Sequence, residues 1–347
     1  MNTDLRHKLN SIMANQDLPD AKLAFIIREL IRDHEMQHDD LNEPVTLTHL
    51  FNDTMRSIKR LNDEGMVVST GFQGVDKSIR GFFPGELIVI GGRPAMGKTQ
   101  LLVNLALNIS KEHPLLYYNF DLPQFLLGSR FISALSKTDM SGLLGNSLND
   151  EEEDRLISAS EALPGHRIYI SDSGSSSLNA IRSDIISQTK KHGIRVVMID
   201  YLQQMSSSRY KYNRDQEIST ICRDLKKLAL EQQLVIIMTS QLSRAVEQRG
   251  GTKTPQLSDL RESGSIEQDA DKVFMIHRMD YYGFYEDEDG NSTTGLVDLI
   301  LVKNRSGVLG TFKLISDENF TCLTDYDERT DNFNITRDRL DDLDSPF

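Results

Sequence analysis

A phosphate-binding pattern is complete in the first third of the chain. Its residues are Gly92-Arg93-Pro94-Ala95-Met96-Gly97-Lys98-Thr99, followed by Gln100. Glycines at the ends of such a loop let backbone N–H groups turn toward a polyphosphate, and the start of the next helix adds a positive dipole end. Lys98 is placed to reach the β- and γ-phosphates, and Thr99 to hold Mg²⁺. The pattern predicts a site for ATP and Mg²⁺; the alternative is an ordinary glycine turn between a strand and a helix.

Three further polar side chains follow apolar runs that are typical of buried strands. Asp200 ends the run from Val196 and is placed to hold the metal, although an acid at a strand end can also cap a helix or a turn. Asp121 ends a second run, where it could polarise the attacking water or cap the helix after Pro123. Gln241 ends a third, where it could sense the γ-phosphate or make an ordinary strand-end hydrogen bond.

These side chains need a sheet to position them, and the apolar runs supply one. The runs alternate with helical patterns and are Leu87–Ile90, Leu115–Tyr118, Arg167–Ile170, Val196–Ile199, Val235–Met238 and Val273–Ile276. Alternation of this kind predicts an α/β fold with a mostly parallel sheet between helices. Two later runs, Leu296–Val302 and Thr311–Ile315, predict a hairpin.

Changes in composition divide the chain into four parts. Residues 1–43 predict a short helical segment, with Asp20 as an N-cap. Residues 44–65 predict a linker helix that Thr46 caps and that an apolar stripe from Leu47 to Leu61 makes amphipathic. Residues 66–316 form the predicted ATPase domain, and residues 317–347 an acidic, mostly disordered tail.

Composition excludes several classes of protein. The net charge of −13 argues against a general nucleic-acid coat, so any contact with nucleic acid must be local. No apolar run is long enough to cross a membrane, and no secretory signal opens the chain. Cys222 and Cys322 are too few and too far apart for a disulfide framework or a zinc site. A reducing cytoplasm is the expected compartment.

From about residue 45 to residue 315 the chain resembles the replicative DNA helicases of the DnaB type. The most specific stretch runs from Asp259 to Asp271 and is similar to the fourth motif of that family almost letter for letter. The phosphate loop, including Arg93-Pro94, matches the version found in the family. The other matching stretches are Asp200-Tyr201-Leu202-Gln203, Ser240-Gln241-Leu242-Ser243-Arg244 with Glu247-Gln248-Arg249, and Lys303-Asn304-Arg305 with Gly310-Thr311.

The resemblance implies a RecA-like ATPase that forms a homohexameric ring and moves 5′ to 3′ on single-stranded DNA threaded through it. ATP would lie between subunits, with Arg305 as an arginine finger supplied in trans and Lys303 also at the γ-phosphate; an Arg on a hairpin is otherwise more often solvated. Arg261, Glu262 and Gly264 match the loop that contacts the DNA backbone. A second basic stretch, with Arg209, Lys211 and Arg214, is placed to be the other channel loop or is a plain surface cluster.

Two departures from the family pattern bear on function. Asp121 stands where the family has Glu, so its carboxylate is one methylene shorter and hydrolysis could be slow. About 43 residues precede the linker helix, where the family has a globular domain that receives primase, so primase docking could differ. Primase, a helicase loader or other replication proteins are the partners that the resemblance implies.

The acidic end of the chain, closing in Pro346-Phe347, could recruit replication partners or merely keep the protein soluble. The alternatives to a helicase are a slowly hydrolysing DNA-bound hexameric scaffold and a recombination-type RecA-like ATPase.

Overall fold

The computed structural model describes residues 46–145, 147–171, 175–207, 214–260 and 264–327. The chain divides into two compact units, one ending at Glu64 and the other beginning at Gly65. The predicted helical segment 1–43 and residues 328–347 of the predicted tail lie outside the described residues. No helix in the described ranges is long and apolar enough to cross a membrane.

The first described element is the predicted amphipathic helix, α1 (Leu47–Asp63). The side chain of Thr46 accepts a hydrogen bond from the backbone N–H of His49 at 3.3 Å, which confirms its predicted role as the N-cap. The apolar stripe includes Leu47, Phe51 and Ile58, and none of the residues of α1 is buried.

The second unit alternates strands and helices. Its helices are α2 (Gln73–Ile79), α3 (Lys98–Ser110), α4 (Gln124–Ser136), α5 (Met140–Gly145), α6 (Asp150–Ala162), α7 (Leu178–His192), α8 (Arg214–Gln232), α9 (Ala245–Gln248) and α10 (Gly264–Asp269). Its strands are β1 (Leu87–Gly92), β2 (Leu115–Asn119), β3 (Ile168–Ser171), β4 (Val196–Asp200), β5 (Val235–Gln241), β6 (Lys272–His277), β7 (Leu296–Asn304), β8 (Gly310–Ser316) and β9 (Leu323–Asp325).

All of these strands belong to one sheet, in the order β3-β2-β4-β5-β1-β6-β7-β8-β9. The six strands β1 to β6 all pair in parallel. At the β6 side of the sheet, β7, β8 and β9 are added in antiparallel pairs. Residues of β1 alternate between two buried clusters: Ile88 and Ile90 face one, and Leu87 and Val89 face the other. Burial on both faces explains why the parallel strands read as continuous apolar runs. The predicted mostly parallel sheet and the later hairpin are confirmed.

Strand direction decides which side chains can meet. The carboxyl ends of β1, β2, β4 and β5 share one edge of the sheet, where Gly92 pairs with Gln241 and Asn119 pairs with Asp200. Loops at this edge of an open parallel sheet are the usual place for ligands. β7 runs the other way, so its last residue, Asn304, pairs with Lys272 at the opposite, amino edge.

The ordered domain continues beyond the boundary predicted at residue 316. Residues 317–325 return to the sheet as a turn followed by β9, which pairs with β8. The carboxylate of Asp317 accepts hydrogen bonds from the turn, including one from the backbone N–H of Cys322 at 3.0 Å. Asp325 likewise accepts from the first backbone N–H groups of α2. The acidic composition was misleading here because these carboxylates act as structural acceptors.

Candidate nucleotide-binding site

A cavity of about 430 Å³ opens at the carboxyl edge of the sheet, beside the phosphate loop. Its wall combines loop residues with residues from the turn after β2, from α4, from the ends of β4 and β5 and from the segment after β8. The lining residues are Pro94, Ala95, Gly97, Lys98, Thr99, Gln100, Asp121, Leu122, Arg130, Asp200, Tyr201, Gln241 and Phe320. The sheet therefore brings Asp121, Asp200 and Gln241 to the cavity beside Lys98, as the positions of these three residues at strand ends predicted.

The loop backbone is shaped to receive an anion. Gly97 has a φ of 94° and is the N-cap of α3, and no side chain caps the N–H groups of the first turn. A Cβ at Gly97 would lie 2.2 Å from Cε1 of Phe320, so both the φ and the space require glycine. The uncapped N-terminus of α3 presents N–H donors and a positive dipole end to the cavity, which suits a phosphate.

Lys98 is held at the base of the loop, where its Nζ donates to the backbone carbonyl of Arg93 at 3.0 Å. Burial, assisted by the charge of Arg93, lowers its pKa to about 8, although Asp200 and Asp121 oppose the shift. An ammonium has three N–H donors and this contact uses one of them, so the others can donate to a phosphate.

Asp200 is 2% exposed and gathers hydroxyl donors from three elements. Thr99 donates to its Oδ2 at 2.7 Å, Thr239 donates to its Oδ1, and Tyr117 approaches its Oδ2 at 3.5 Å. Mg²⁺ is commonly held by one or two protein oxygens together with substrate phosphates and waters. The Thr99 hydroxyl and the Asp200 carboxylate, adjacent at the edge of the phosphate loop, fit that requirement.

Asp121 reaches the cavity on a short turn after β2. Asn119 fixes this turn, since its side chain donates to the carbonyl of Leu122 at 2.6 Å and accepts from the N–H of Leu122 at 3.1 Å. Partial burial and the charge of Asp200 raise the pKa of Asp121, and Lys98 opposes the shift. A carboxylate with a raised pKa is a stronger base, which suits activation of water.

Gln241 lines the cavity at the end of β5, and its backbone is tied to Gln203, which lies after β4. The N–H of Gln241 donates to Gln203 Oε1 at 3.3 Å, and Gln203 Nε2 donates to the hydroxyl of Ser240 at 3.0 Å. Gln203 ends the motif that begins at Asp200, and the motif alone indicates no role for its side chain. This amide joins the ends of two neighbouring strands at the cavity.

Three side chains predicted among the nucleotide-binding residues are directed elsewhere. Arg93 turns toward β5 and α9, Met96 is buried in the apolar core, and the Gln100 amide donates to the carbonyl of Thr321. Gly92 lies within β1, where a Cβ would be 2.5 Å from Ile276. The side chains of Arg93 and Met96 therefore shape the surroundings of the loop, whereas Gln100 lines the cavity while its amide holds the turn at Thr321.

Phe320 and Arg278 belong to the site although sequence reasoning did not select them. Phe320 lines the cavity beside Gly97, and the guanidinium of Arg278 stacks on its ring at 4.1 Å from the centroid. Asp280 holds Arg278 through two hydrogen bonds, at 3.2 and 3.0 Å. An aromatic ring backed by a cation is a suitable platform for a planar base.

The family of the chain follows from comparison with known proteins. Residues 67–325 match the model of the DnaB-like helicase C terminal domain. The chain belongs to this family. The match begins two residues into the second unit and includes β9, so the ordered end of the domain is part of the family fold.

Known relatives agree with the DnaB-like assignment. A "Probable replicative DNA helicase" of Trieres chinensis is 38% identical over 299 residues, which cover 84% of this chain and 64% of that protein. "Replicative DNA helicase DnaB" of Rickettsia typhi is 32% identical, with 95% and 74% of the two chains covered. The chain thus spans less than two thirds of the length of the first of these relatives.

Solved structures share the fold of this DnaB-like chain. One, described as an ATPase domain, has a TM-score of 0.73 and 30% identity, covering 82% of this chain and all of that one. A second, described as "The Structure Of A DnaB-Like Replicative Helicase And Its Interactions With Primase", has a TM-score of 0.74 and 28% identity, covering 93% of this chain and 76% of that one.

In this DnaB-like chain, Lys303 and Arg305 lie at the amino edge of the sheet, away from the phosphate loop. Lys303 donates to backbone carbonyls at the end of α10, including that of Ala270 at 2.6 Å. Arg305 pairs with Asp271 at 3.3 Å and donates to the carbonyl of Gln268. Neither residue lines the cavity of its own chain, so a role in hydrolysis requires a second subunit.

The predicted DNA-contacting residues Arg261, Glu262, Arg209 and Lys211 lie outside the described residues. Gly264 is described and begins α10. The residues just before 208–213 and just before 261–263 are held in place by side-chain contacts. Before residue 208, the N–H of Ser207 donates to Glu217 of α8 at 2.6 Å. Before residue 261, Asp259 is 3% exposed and pairs with Arg249 at 2.7 Å.

Proposed function

We propose that this chain is an ATP-dependent DNA helicase that moves on single-stranded DNA and unwinds duplex during replication. The observation that carries the proposal is the meeting of Lys98, Thr99, Asp121 and Asp200 around one cavity in a chain of the DnaB-like family. This is the set that phosphoryl transfer to water needs: a phosphate cradle, two oxygens for a metal and a base.

Each group has a separate task in hydrolysis. The loop N–H groups and Lys98 bind the β- and γ-phosphates and oppose the charge that develops on them. Thr99 and Asp200 hold Mg²⁺, which when bound neutralises phosphate charge. Asp121 takes a proton from the attacking water, and Gln241 reports the presence of the γ-phosphate. Phe320, backed by Arg278, holds the adenine base.

The placement of Arg305 supports an assembled enzyme. Because Arg305 and Lys303 lie at the edge opposite their own cavity, they act on the nucleotide of a neighbouring subunit, with Arg305 as the finger. A closed homohexamer would satisfy every such site at once, as expected for a head-to-tail ring. The exposed apolar stripe of α1 is suited to packing on the next subunit.

The DNA would run past residues 208–213 and 261–264. Arg261, Glu262 and Gly264 contact its phosphate backbone, with Arg209 and Lys211 as the second contact, so binding is independent of sequence and sensitive to salt. We propose 5′-to-3′ movement in the cytoplasm, with primase and a helicase loader as partner proteins.

Hydrolysis and unwinding measured together test this function. Wild-type protein should hydrolyse ATP several-fold faster with single-stranded DNA and should open a forked duplex, and Lys98→Ala should do neither. An ATP hydrolysis rate that ignored DNA, together with no strand separation, would count against a helicase.

A second function is favoured by the short carboxylate of Asp121. A slowly hydrolysing hexamer on DNA could serve as a scaffold that recruits partners. Asp121→Glu separates the two functions, since it extends the carboxylate toward the attacking water. A helicase already tuned for Asp121 should gain little, whereas a large gain in unwinding would indicate that the native protein is built for slow turnover.

A further inference from the structure

The guanidinium of Arg93 is the one large charged group of the phosphate loop that faces away from the nucleotide cavity. Its side chain is 9% exposed. Nε and NH2 both donate to Glu247 Oε1, at 2.9 and 2.7 Å, and NH1 donates to the carbonyl of Leu242 at 2.8 Å. The backbone carbonyl of the same residue accepts from Lys98. Arg93 therefore contacts the phosphate-binding lysine on one side and the segment after β5 on the other.

The segment that Arg93 holds is braced as a unit from Leu242 to Leu260. Leu242 and Leu260 form an antiparallel bridge, and the N–H of Ser243 donates to the carbonyl of Asp259 at 2.7 Å. Arg249 closes the unit with two hydrogen bonds to the buried Asp259 carboxylate, at 3.0 and 2.7 Å. These contacts connect the segment that contains Glu247 to Leu260, directly before Arg261.

Stability alone is a poor explanation for such a pair. Arg93 is buried, but the Glu247 side chain is 45% exposed, and an ion pair with a solvent-exposed partner contributes little to stability. The guanidinium of Arg93 instead fixes the orientation of the segment after β5, because charge-assisted hydrogen bonds are short and directional.

We infer that Arg93 and Glu247 are positioning residues that couple the phosphate loop to the segment leading to the proposed DNA contact. Nucleotide entering the loop competes for the Lys98 ammonium, which now donates to the Arg93 carbonyl. Any resulting shift of Arg93 is passed through Glu247 and Leu242 to the braced unit. This inference rests on the proposed function, since it assumes that residues after Leu260 contact DNA.

Coupling is measured as the ratio of DNA affinities with and without a nucleotide. The probe is a fluorescein-labelled oligothymidylate, titrated with wild type, Glu247→Ala and Glu247→Gln, with and without a non-hydrolysable ATP analogue and Mg²⁺. By linkage, the same ratio describes how DNA alters nucleotide affinity. Glu161, an exposed acid on α6, supplies the matched control variant Glu161→Ala.

In Glu247→Ala the ratio should fall roughly five- to ten-fold toward one, within the range of couplings modulated by residues that touch neither ligand. Analogue affinity without DNA and the thermal midpoint should stay near wild type, and Glu247→Gln, which keeps an acceptor for Arg93, should retain part of the ratio. An additional Arg93→Ala should lower the ratio no further, because the two residues act as one pair.

Three outcomes would overturn the inference. An unchanged ratio in Glu247→Ala would show that the contact carries no coupling. Loss of analogue affinity together with DNA affinity would show that the pair merely braces the loop. A wild-type protein whose DNA affinity ignores the analogue would overturn the proposed function as well, and so differs from the first two outcomes.

Discussion

The hydroxyl of Thr99 donates to the carboxylate of Asp200 at 2.7 Å, which joins the first turn of α3 to the end of β4. The two residues are 101 positions apart in the chain. Their contact places a hydroxyl and a buried carboxylate side by side at the end of the phosphate loop. The arrangement makes metal dependence the most direct test of the site.

Asp200→Asn should separate hydrolysis from nucleotide binding. Without the carboxylate charge, Mg²⁺-dependent hydrolysis should fall roughly a hundredfold or more, as when other preorganised electrostatic groups are removed. ATP affinity in EDTA should hold or improve, because a negative charge near the triphosphate is gone. Hydrolysis across a Mg²⁺ titration and binding of a fluorescent ATP analogue measure the two effects.

Asp184→Asn is the control for Asp200→Asn, because Asp184 is a partly buried acid bonded to Tyr118 at 2.7 Å and does not line the cavity. It should leave the Mg²⁺ titration unchanged. Equal loss of ATP binding with and without Mg²⁺ in Asp200→Asn would contradict a metal role for Asp200.

The pKa of Lys98 predicts how ATP binding depends on pH. Burial lowers this pKa to about 8 in the free protein, whereas a bound phosphate favours the charged ammonium. The complex therefore holds more protons than the free protein, and affinity must fall as pH rises above about 8. Because one proton is linked to binding, ATP affinity should fall about ten-fold per pH unit in this range.

The affinity for a fluorescent ATP analogue, measured between pH 6.5 and about 9.5, covers the range in which Lys98 titrates and tests this fall. Lys98→Met lacks the amine, so it should bind the analogue weakly at every pH, and its affinity should not fall above about pH 8. If affinity fell with the same slope in both proteins, the titration would belong to another group.

The functional side chains at strand ends could be predicted from the sequence. Contacts between residues that lie far apart in the chain could not. Asp121, Asp200 and Gln241 follow apolar runs, and parallel strands bring their carboxyl ends to one edge, so their meeting could be foreseen. The partner of Arg93 could not, since Glu247 lies 154 residues away and the pattern shows only that a loop residue precedes Pro94.

Phe320 shows a second limit of sequence reasoning. It lies in an acidic, aperiodic stretch, and such composition is typical of disorder. Here the acids are acceptors within a turn, where Asp317 accepts from the N–H of Cys322 at 3.0 Å. The turn is fixed to α3 because Asn104 accepts from the N–H of Leu323 at 3.0 Å.

Phe320→Ala should weaken recognition of the base and leave recognition of phosphate intact. Stacking on an aromatic ring is worth about 1–3 kcal/mol per base, so ATP affinity should fall roughly ten-fold. Inorganic tripolyphosphate, which has no base, should compete for the site as well as in wild type. Competition against a fluorescent ATP analogue gives both constants.

Phe284→Ala, at an exposed phenylalanine, is the matched control and should leave both constants unchanged. A parallel loss of tripolyphosphate binding in Phe320→Ala would show that the ring supports Gly97 and the loop, and is not a platform for the base.

Arg305→Ala should abolish DNA-stimulated hydrolysis without weakening ATP binding in its own cavity. Loss of an arginine finger costs roughly 10³- to 10⁵-fold in rate. Lys98→Ala should also be inactive, but for the opposite reason: it has an intact finger and a defective loop. Mixing the two inactive proteins therefore tests whether the finger acts in trans.

Mixed assemblies contain interfaces where an intact Lys98 loop meets an intact Arg305 finger from the neighbour. Dissociating and reassembling the two variants together should restore a measurable fraction of the wild-type ATP hydrolysis rate, rising to a maximum near equal amounts. Mixing Lys98→Ala with Asp200→Asn is the control: both defects lie in the same cavity, and since each subunit has one of them, no complete site can form. Absence of recovery in the Arg305→Ala mixture, with co-assembly shown by native mass measurement, would place the role of Arg305 within its own subunit.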